Sequence, residues 1–121
     1  MPVVIAATRD LIFASKISGT GQALGIPVQV VQSTDALEQA MVSGGARLVI
    51  VDMALPRELA CDCLRRAAQQ IPLPEIVAYY SHVDGSARDD ARSAGAQQVL
   101  PRSKFTEVLP DLLRTYGTAL P

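Results

Sequence analysis

The chain has 121 residues, of which 49% are hydrophobic and 4% aromatic, and its formal net charge is -1. This length suits one domain with a single buried core, and the high apolar content with little net charge excludes a disordered chain. No apolar run approaches the roughly 18 residues that a membrane helix needs, and the basic excess typical of nucleic-acid binders is missing. We therefore expect a soluble domain with neither nucleic acid nor membrane among its partners.

The cysteines indicate a reducing compartment. Cys61 and Cys63 are the two cysteines of the chain. Their spacing is too short for an ordinary disulfide and differs from the CxxC pattern of redox and zinc sites. Since no disulfide is expected, we predict a cytoplasmic location. Because the single histidine, His82, lies far away in sequence, we expect no metal site.

Five short aliphatic runs alternate with five longer segments of helical periodicity. The runs are nearly continuous in Val, Ile and Leu, which is typical of strands covered on both faces of a sheet. Gly95 and Gly117 follow the last two helical segments, where glycine commonly ends a helix. In chain order, the predicted strands and helices are Val3–Ala7, Asp10–Leu24, Val28–Val31, Asp35–Met41, Leu48–Val51, Arg57–Ile71, Ile76–Tyr80, Ser86–Ala94, Val99–Leu100 and Phe105–Tyr116.

This alternation predicts the fold class. Repeated strand–helix pairs imply a parallel sheet with right-handed crossovers and helices on both faces. Five pairs are too few for a closed eight-stranded barrel. We therefore predict a three-layer, doubly wound α/β domain, (βα)5, whose functional site lies at the carboxyl ends of the strands.

Two segments of the chain carry a family resemblance. Leu48–Pro56, with the sequence LVIVDMALP, is similar to the third strand, phospho-acceptor aspartate and Leu-Pro turn of the CheY-like receiver domain of two-component response regulators. Ala94–Leu100 resembles the end of that family's fourth helix and its fifth strand. The resemblance covers essentially the whole chain. It implies a flavodoxin-like fold with strand order 2-1-3-4-5, and a single receiver-like domain over residues 1–121 with no output domain.

The resemblance also implies a phosphorylation site, of which this chain keeps only a part. In the family, two acidic residues after the first strand hold a magnesium ion, which offsets the repulsion between the attacking carboxylate and the phosphoryl donor. A lysine after the fifth strand and a Thr or Ser after the fourth complete the site. In this chain the acceptor position falls on Asp52, the acidic pair on Ala7 and Thr8, the Thr/Ser position on Tyr80 with Ser81 next to it, the lysine on Arg102 and the aromatic switch position on Val99.

These departures predict that magnesium binding is weak or absent, and no other cofactor is expected. Asp10 follows the missing acidic pair, but it is placed at the start of the first helix. Without a metal, Arg102 is the expected partner of Asp52, since a buried carboxylate without a partner is costly. Asp52 as a working phospho-acceptor and Asp52 as a site for another ligand remain as alternatives. Tyr79 and Tyr80 point to opposite faces of their strand, so one belongs to the core and the other either plugs the pocket mouth or simply packs there.

Three functions follow from these observations. The first is a stand-alone receiver-like signalling or protein-interaction module, not an enzyme, with impaired phosphorylation. It would bind a signalling partner or a second copy through the fourth helix, fifth strand and fifth helix. The second is a conventional single-domain response regulator phosphorylated on Asp52, and the third is a flavodoxin-like binder of a small ligand. The interaction face of the first would use Val99, Lys104, Phe105 and Tyr116.

Overall fold

The computed structural model describes residues 3–42 and 44–117 of the chain. Strands and helices alternate throughout this part. The strands are β1 (Val4–Ala7), β2 (Val28–Val31), β3 (Leu48–Asp52), β4 (Glu75–Tyr80) and β5 (Gln98–Pro101). The helices are α1 (Leu11–Ala23), α2 (Thr34–Met41), α3 (Arg57–Ala68), α4 (Ala87–Ala94) and α5 (Arg102–Tyr116).

The strands form one parallel sheet in the order β2-β1-β3-β4-β5. This confirms the predicted flavodoxin-like (βα)5 architecture and strand order. Alternate side chains of each central strand enter two separate cores, because both faces of the sheet are covered by helices. One core lies beneath α1 and α5, and the other lies beneath α2, α3 and α4.

Two helix boundaries differ from the predicted ones by three residues, and the others differ by no more than one. Helix α5 begins at Arg102, three residues before the expected start at Phe105. Its first turn is largely polar and shows no apolar periodicity, so the sequence pattern did not reveal it. Helix α3 ends at Ala68, before the expected end at Ile71, and Ile71 is 95% exposed. The residue preceding a proline disfavours the helical conformation, and Ile71 precedes Pro72. Within the described residues, no helix is long and apolar enough to cross a membrane.

Candidate functional site

The carboxylate of Asp52 lies at the end of β3, next to the point where the strand order reverses. It is 2% exposed, and both of its oxygens accept hydrogen bonds. The Thr8 hydroxyl donates to Oδ2 at 2.8 Å, and the backbone N–H of Ala54 donates to Oδ1 at 2.9 Å. The charge of Asp52 is therefore compensated within the chain by a hydroxyl and an amide.

Thr8 reaches Asp52 because it directly follows β1, which pairs with β3. Thr8 is itself held by two further hydrogen bonds: its N–H donates to the carbonyl of Val31, and its hydroxyl oxygen accepts from the Asp10 N–H at 3.1 Å. Thr8 is 1% exposed. The hydroxyl thus accepts from one neighbour and has its single proton free for Asp52.

Asp10 is the N-cap of α1, as its position in the sequence predicts. Its Oδ1 accepts hydrogen bonds from Ile12 N–H and Phe13 N–H, at 2.9 and 3.1 Å. Ala7, the other residue at the expected acidic pair, faces the core beneath α2, α3 and α4, away from the side chain of Thr8. Ala7 and Thr8, the two positions of the expected acidic pair, therefore supply no carboxylate next to Asp52, and the carboxylate of Asp10 is engaged in capping α1.

The oxygen atoms around Asp52 do not form a set of ligands that fits a magnesium ion. Mg²⁺ requires hard oxygen ligands in near-octahedral geometry, and proteins usually hold it with carboxylates. Asp52 is already bonded to Thr8 and Ala54, and Asp10 is engaged in capping α1. Among residues 3–42 and 44–117, no group of three or more His, Cys, Asp and Glu side chains is placed to hold a metal ion.

Arg102 does not pair with Asp52, so the predicted ion pair was wrong. Its guanidinium lies over the ring of Phe13, with Cζ 4.9 Å from the ring centroid. Its Nε is buried and has no hydrogen-bond partner in the described part of the chain. Stacking on an aromatic ring is favourable for a guanidinium, and Asp52 is already satisfied by Thr8 and Ala54.

An aromatic cluster, formed by Phe13, Tyr79 and Phe105, packs next to Asp52. The ring centroids are 5.0 Å apart for Phe13 and Tyr79, and 4.5 Å apart for Tyr79 and Phe105. Tyr79 is opposite Asp52 in the β3–β4 register and is fully buried. The cluster therefore fills the space between the sheet and helices α1 and α5 beside the carboxylate.

The hydroxyl of Tyr79 is buried and makes no well-aligned hydrogen bond among the described residues, although Thr8 and Asp52 lie close enough to shift its pKa. Burial strongly raises the pKa of this phenol, and the nearby Asp52 charge raises it further, while Thr8 acts in the opposite direction. The phenol is therefore held in its neutral form beside the carboxylate.

The sequence did not identify Tyr79 as a site residue. It favoured Tyr80, which is half-buried and packs on the core beneath α2, α3 and α4, on the opposite side of the sheet from Tyr79. Ser81 follows in the β4–α4 loop, where its carbonyl accepts from Asp84 N–H. The strand register was the missing signal, because it decides which of the two tyrosines shares a face with Asp52.

The expected interaction face is only partly exposed. Lys104 is exposed and forms an ion pair with Glu107 at 3.8 Å, and Tyr116 is half-buried. Phe105 is fully buried in the aromatic cluster and Val99 is 7% exposed, so neither offers a surface to a partner. Phe105 is buried because it shares the sheet-facing side of α5 with Leu109, Leu112 and Leu113.

Several solved structures with the same fold are response regulators or their receiver domains. A response regulator receiver protein from Burkholderia phymatum is 22% identical with a TM-score of 0.74, and the match covers 100% of this chain and 99% of that one. A response regulator from Thermotoga maritima is 17% identical with a TM-score of 0.74, covering 96% of this chain and 97% of that one.

NtrX from Brucella abortus, solved in complex with ADP, is 16% identical with a TM-score of 0.76. The match covers 96% of this chain and 26% of NtrX, so this chain spans about a quarter of that protein's length. No protein-family model matches the sequence, and neither does any curated protein. The chain thus has the fold of response regulator receiver domains.

Proposed function

We propose that this chain is a receiver-type signalling module that acts by protein–protein recognition and does not depend on phosphorylation of Asp52. The observation that carries the proposal is the state of the Asp52 carboxylate. It is 2% exposed and hydrogen-bonded on both oxygens, and the residues that follow β1 supply no carboxylate for a metal.

The chemistry of phosphoryl transfer supports this reading. An attacking carboxylate needs a free oxygen in line with the phosphorus atom, and a metal ion offsets the repulsion between the two anions. Here Oδ2 already accepts from the Thr8 hydroxyl and Oδ1 from Ala54 N–H, and Asp52 is only 2% exposed, so neither oxygen is open to an approaching phosphorus atom. A phosphoryl donor would have to displace the hydroxyl in a site where the residues that follow β1 supply no free carboxylate to a metal ion.

The proposed recognition surface is the exposed part of α4, β5 and α5. A shallow groove at the β5 edge is lined by the apolar side chains of Leu100, Val108 and Tyr116, with Lys104 and Asp111 beside them. Apolar side chains flanked by charges of both signs suit a protein partner or a second copy of the chain. No enzymatic turnover is part of the proposal.

Phosphorylation is tested by recording amide NMR spectra with Mg²⁺ and beryllofluoride, and separately with acetyl phosphate. We expect the reagents to leave the spectrum of the wild type unchanged, and likewise the spectrum of Asp52→Asn. Shifts around Asp52 in the wild type that are missing in Asp52→Asn would instead establish a conventional response regulator.

Recognition through the β5–α5 groove is tested by sedimentation over a range of concentrations and by pull-down with the Val108→Glu variant. We expect self-association or partner capture that Val108→Glu weakens by about tenfold or more, since the change places a charge inside the interface. Ile71→Glu is the matched control, because Ile71 is 95% exposed and lies outside this groove. A strict monomer that captures nothing would overturn the proposal.

A further inference from the structure

A cluster of four polar residues, which we call the Arg57 node, joins the start of α3 to the start of α4. Arg57 Nη2 donates to Asp84 Oδ2 at 2.5 Å, and Nη1 donates to Asp90 Oδ2 at 2.5 Å. Nη1 also donates to the Ser86 hydroxyl at 3.1 Å, and that hydroxyl donates to Asp84 Oδ1 at 3.2 Å. One guanidinium therefore holds both the β4–α4 loop and the first turn of α4.

The Arg57 node is partly shielded from water. The side chains of Arg57, Asp84 and Asp90 are 32%, 38% and 46% exposed, and Arg57 Nε is fully buried. The hydrogen bond that Arg57 donates to Asp90 raises the pKa of Arg57, and burial opposes that rise. A guanidinium shared by two carboxylates is geometrically specific, because its donors form a rigid planar fork.

The apolar contacts of α4 are weak determinants of its position. The buried residues of this helix are Ala87, Ala91 and Ala94. Methyl groups bury little apolar area and offer few knobs to interlock with α3, so they specify the orientation of α4 less firmly than larger side chains would. Helix α4 also has no side-chain hydrogen bond at its N-cap, since the Ser86 hydroxyl is directed to Arg57 and Asp84.

The contrast between these two kinds of contact indicates what fixes α4. The alanine face favours burial of α4 against its neighbours without specifying its orientation. The directional contacts of its first turn come from the Arg57 node. Arg57 lies five positions after Asp52, at the start of the helix that follows the Asp52 turn. The position of α4 is therefore tied to the Asp52 segment by a charged contact that requires no phosphoryl group.

We infer that the Arg57 node is a conformational latch that holds the β4–α4 loop and α4 in one position. Because α4 contributes to the proposed recognition surface, the consequence for partner binding rests on the proposed function. The latch itself is a property of the chain alone. Its opening would loosen residues 84–94 and leave the sheet intact.

The test is hydrogen exchange followed by mass spectrometry on wild type, Arg57→Gln and Arg57→Lys. Loss of Arg57 is expected to speed amide exchange in residues 84–94 by about tenfold or more, with β1 and β3 unchanged. Arg57→Lys should give an intermediate rate, because an ammonium lacks the planar fork. Arg65→Gln is the matched control, since Arg65 lies on the same helix, is 53% exposed and contacts Asp62 at 4.0 Å.

If Arg57→Gln does not fold, Asp84→Asn and Asp90→Asn provide the same test with smaller perturbations. The latch would be overturned if residues 84–94 exchanged as slowly in folded Arg57→Gln, or in both Asp variants, as they do in the wild type. Faster exchange supports it whatever happens to partner binding, because the measurement uses the chain alone. Faster exchange combined with unchanged self-association and partner capture would instead count against the proposed recognition surface.

Discussion

The Thr8–Asp52 hydrogen bond makes a quantitative prediction for Thr8→Val, which keeps the shape of the side chain and removes the hydroxyl. Asp52 is 2% exposed, so water cannot replace the lost donor without a rearrangement. A hydrogen bond to a charged group contributes about 1.5–3 kcal/mol, and an unpaired buried charge costs more than a neutral group. Thr8 also accepts from Asp10 N–H, and that contact is lost as well. We expect the free energy of unfolding to fall by about 2–3 kcal/mol.

The loss is measurable by urea unfolding and by thermal unfolding. For a domain of this length the unfolding entropy makes 1 kcal/mol equivalent to about 4 °C, so Tm should fall by about 8–12 °C. Thr8→Ser keeps the hydroxyl and should lose less than about 1 kcal/mol. Thr20→Val is a matched control, because its hydroxyl bonds only the Lys16 carbonyl of its own helix, and it should change stability by no more than about 0.5 kcal/mol.

A double-mutant cycle with Asp52→Asn isolates the pairwise contribution. Since the amide removes the charge, Thr8→Val should be far less destabilising in the Asp52→Asn background, with a coupling energy above about 1 kcal/mol. The reasoning would be refuted by a coupling energy near zero. It would equally be refuted if Thr8→Val and Thr8→Ser had the same stability.

Four further predictions concern the surroundings of this site and the α3–α4 contact. Tyr79→Phe removes a buried hydroxyl that makes no well-aligned hydrogen bond and should raise stability by about 1 kcal/mol at neutral pH, measured by urea unfolding; a loss of that size would show that its contact with Thr8 or Asp52 is stabilising. Because burial raises the pKa of Tyr79, the folded chain keeps the phenol proton to a higher pH than the unfolded chain does. Wild-type stability is therefore full below about pH 10 and declines above it, and Tyr79→Phe should lack that part of the decline. Asp10→Ala removes the N-cap of α1 and should cost about 1 kcal/mol in thermal unfolding, whereas Asp111→Ala at an exposed position should change little; equal effects would contradict the capping role. Gly95→Ala should lower the free energy of unfolding by at least about 2 kcal/mol, because φ is +118° and an added Cβ would lie 2.9 Å from Ala68 Cβ. Gly19→Ala, in open space on α1, should instead raise it by about 0.5–1 kcal/mol. Urea unfolding that found Gly95→Ala neutral would refute this account of the α3–α4 contact.

The order of strands and helices could be predicted from the sequence because it depends on local patterns. Nearly continuous aliphatic runs such as Leu48–Val51 identify strands covered on both faces, and Gly95 marks the end of α4 with φ at +118°. The sequence likewise placed Asp52 at the carboxyl end of β3, where the structure has it. Exposed helix ends were less predictable, since the polar first turn of α5 has no apolar periodicity to reveal it.

The partners of Asp52 could be decided only by the tertiary structure. A carboxylate bonds to whichever donors the strand register and loop geometry bring within about 3 Å, and local sequence patterns carry no information on that distance. The sequence favoured Arg102, but the fold placed the Thr8 hydroxyl 2.8 Å from Asp52 and stacked Arg102 on Phe13. The alternation of aliphatic runs and helical segments thus determined the α/β fold class, and the long-range pairing of β1, β3 and β4 decided that its central carboxylate is held by a threonine beside a buried tyrosine.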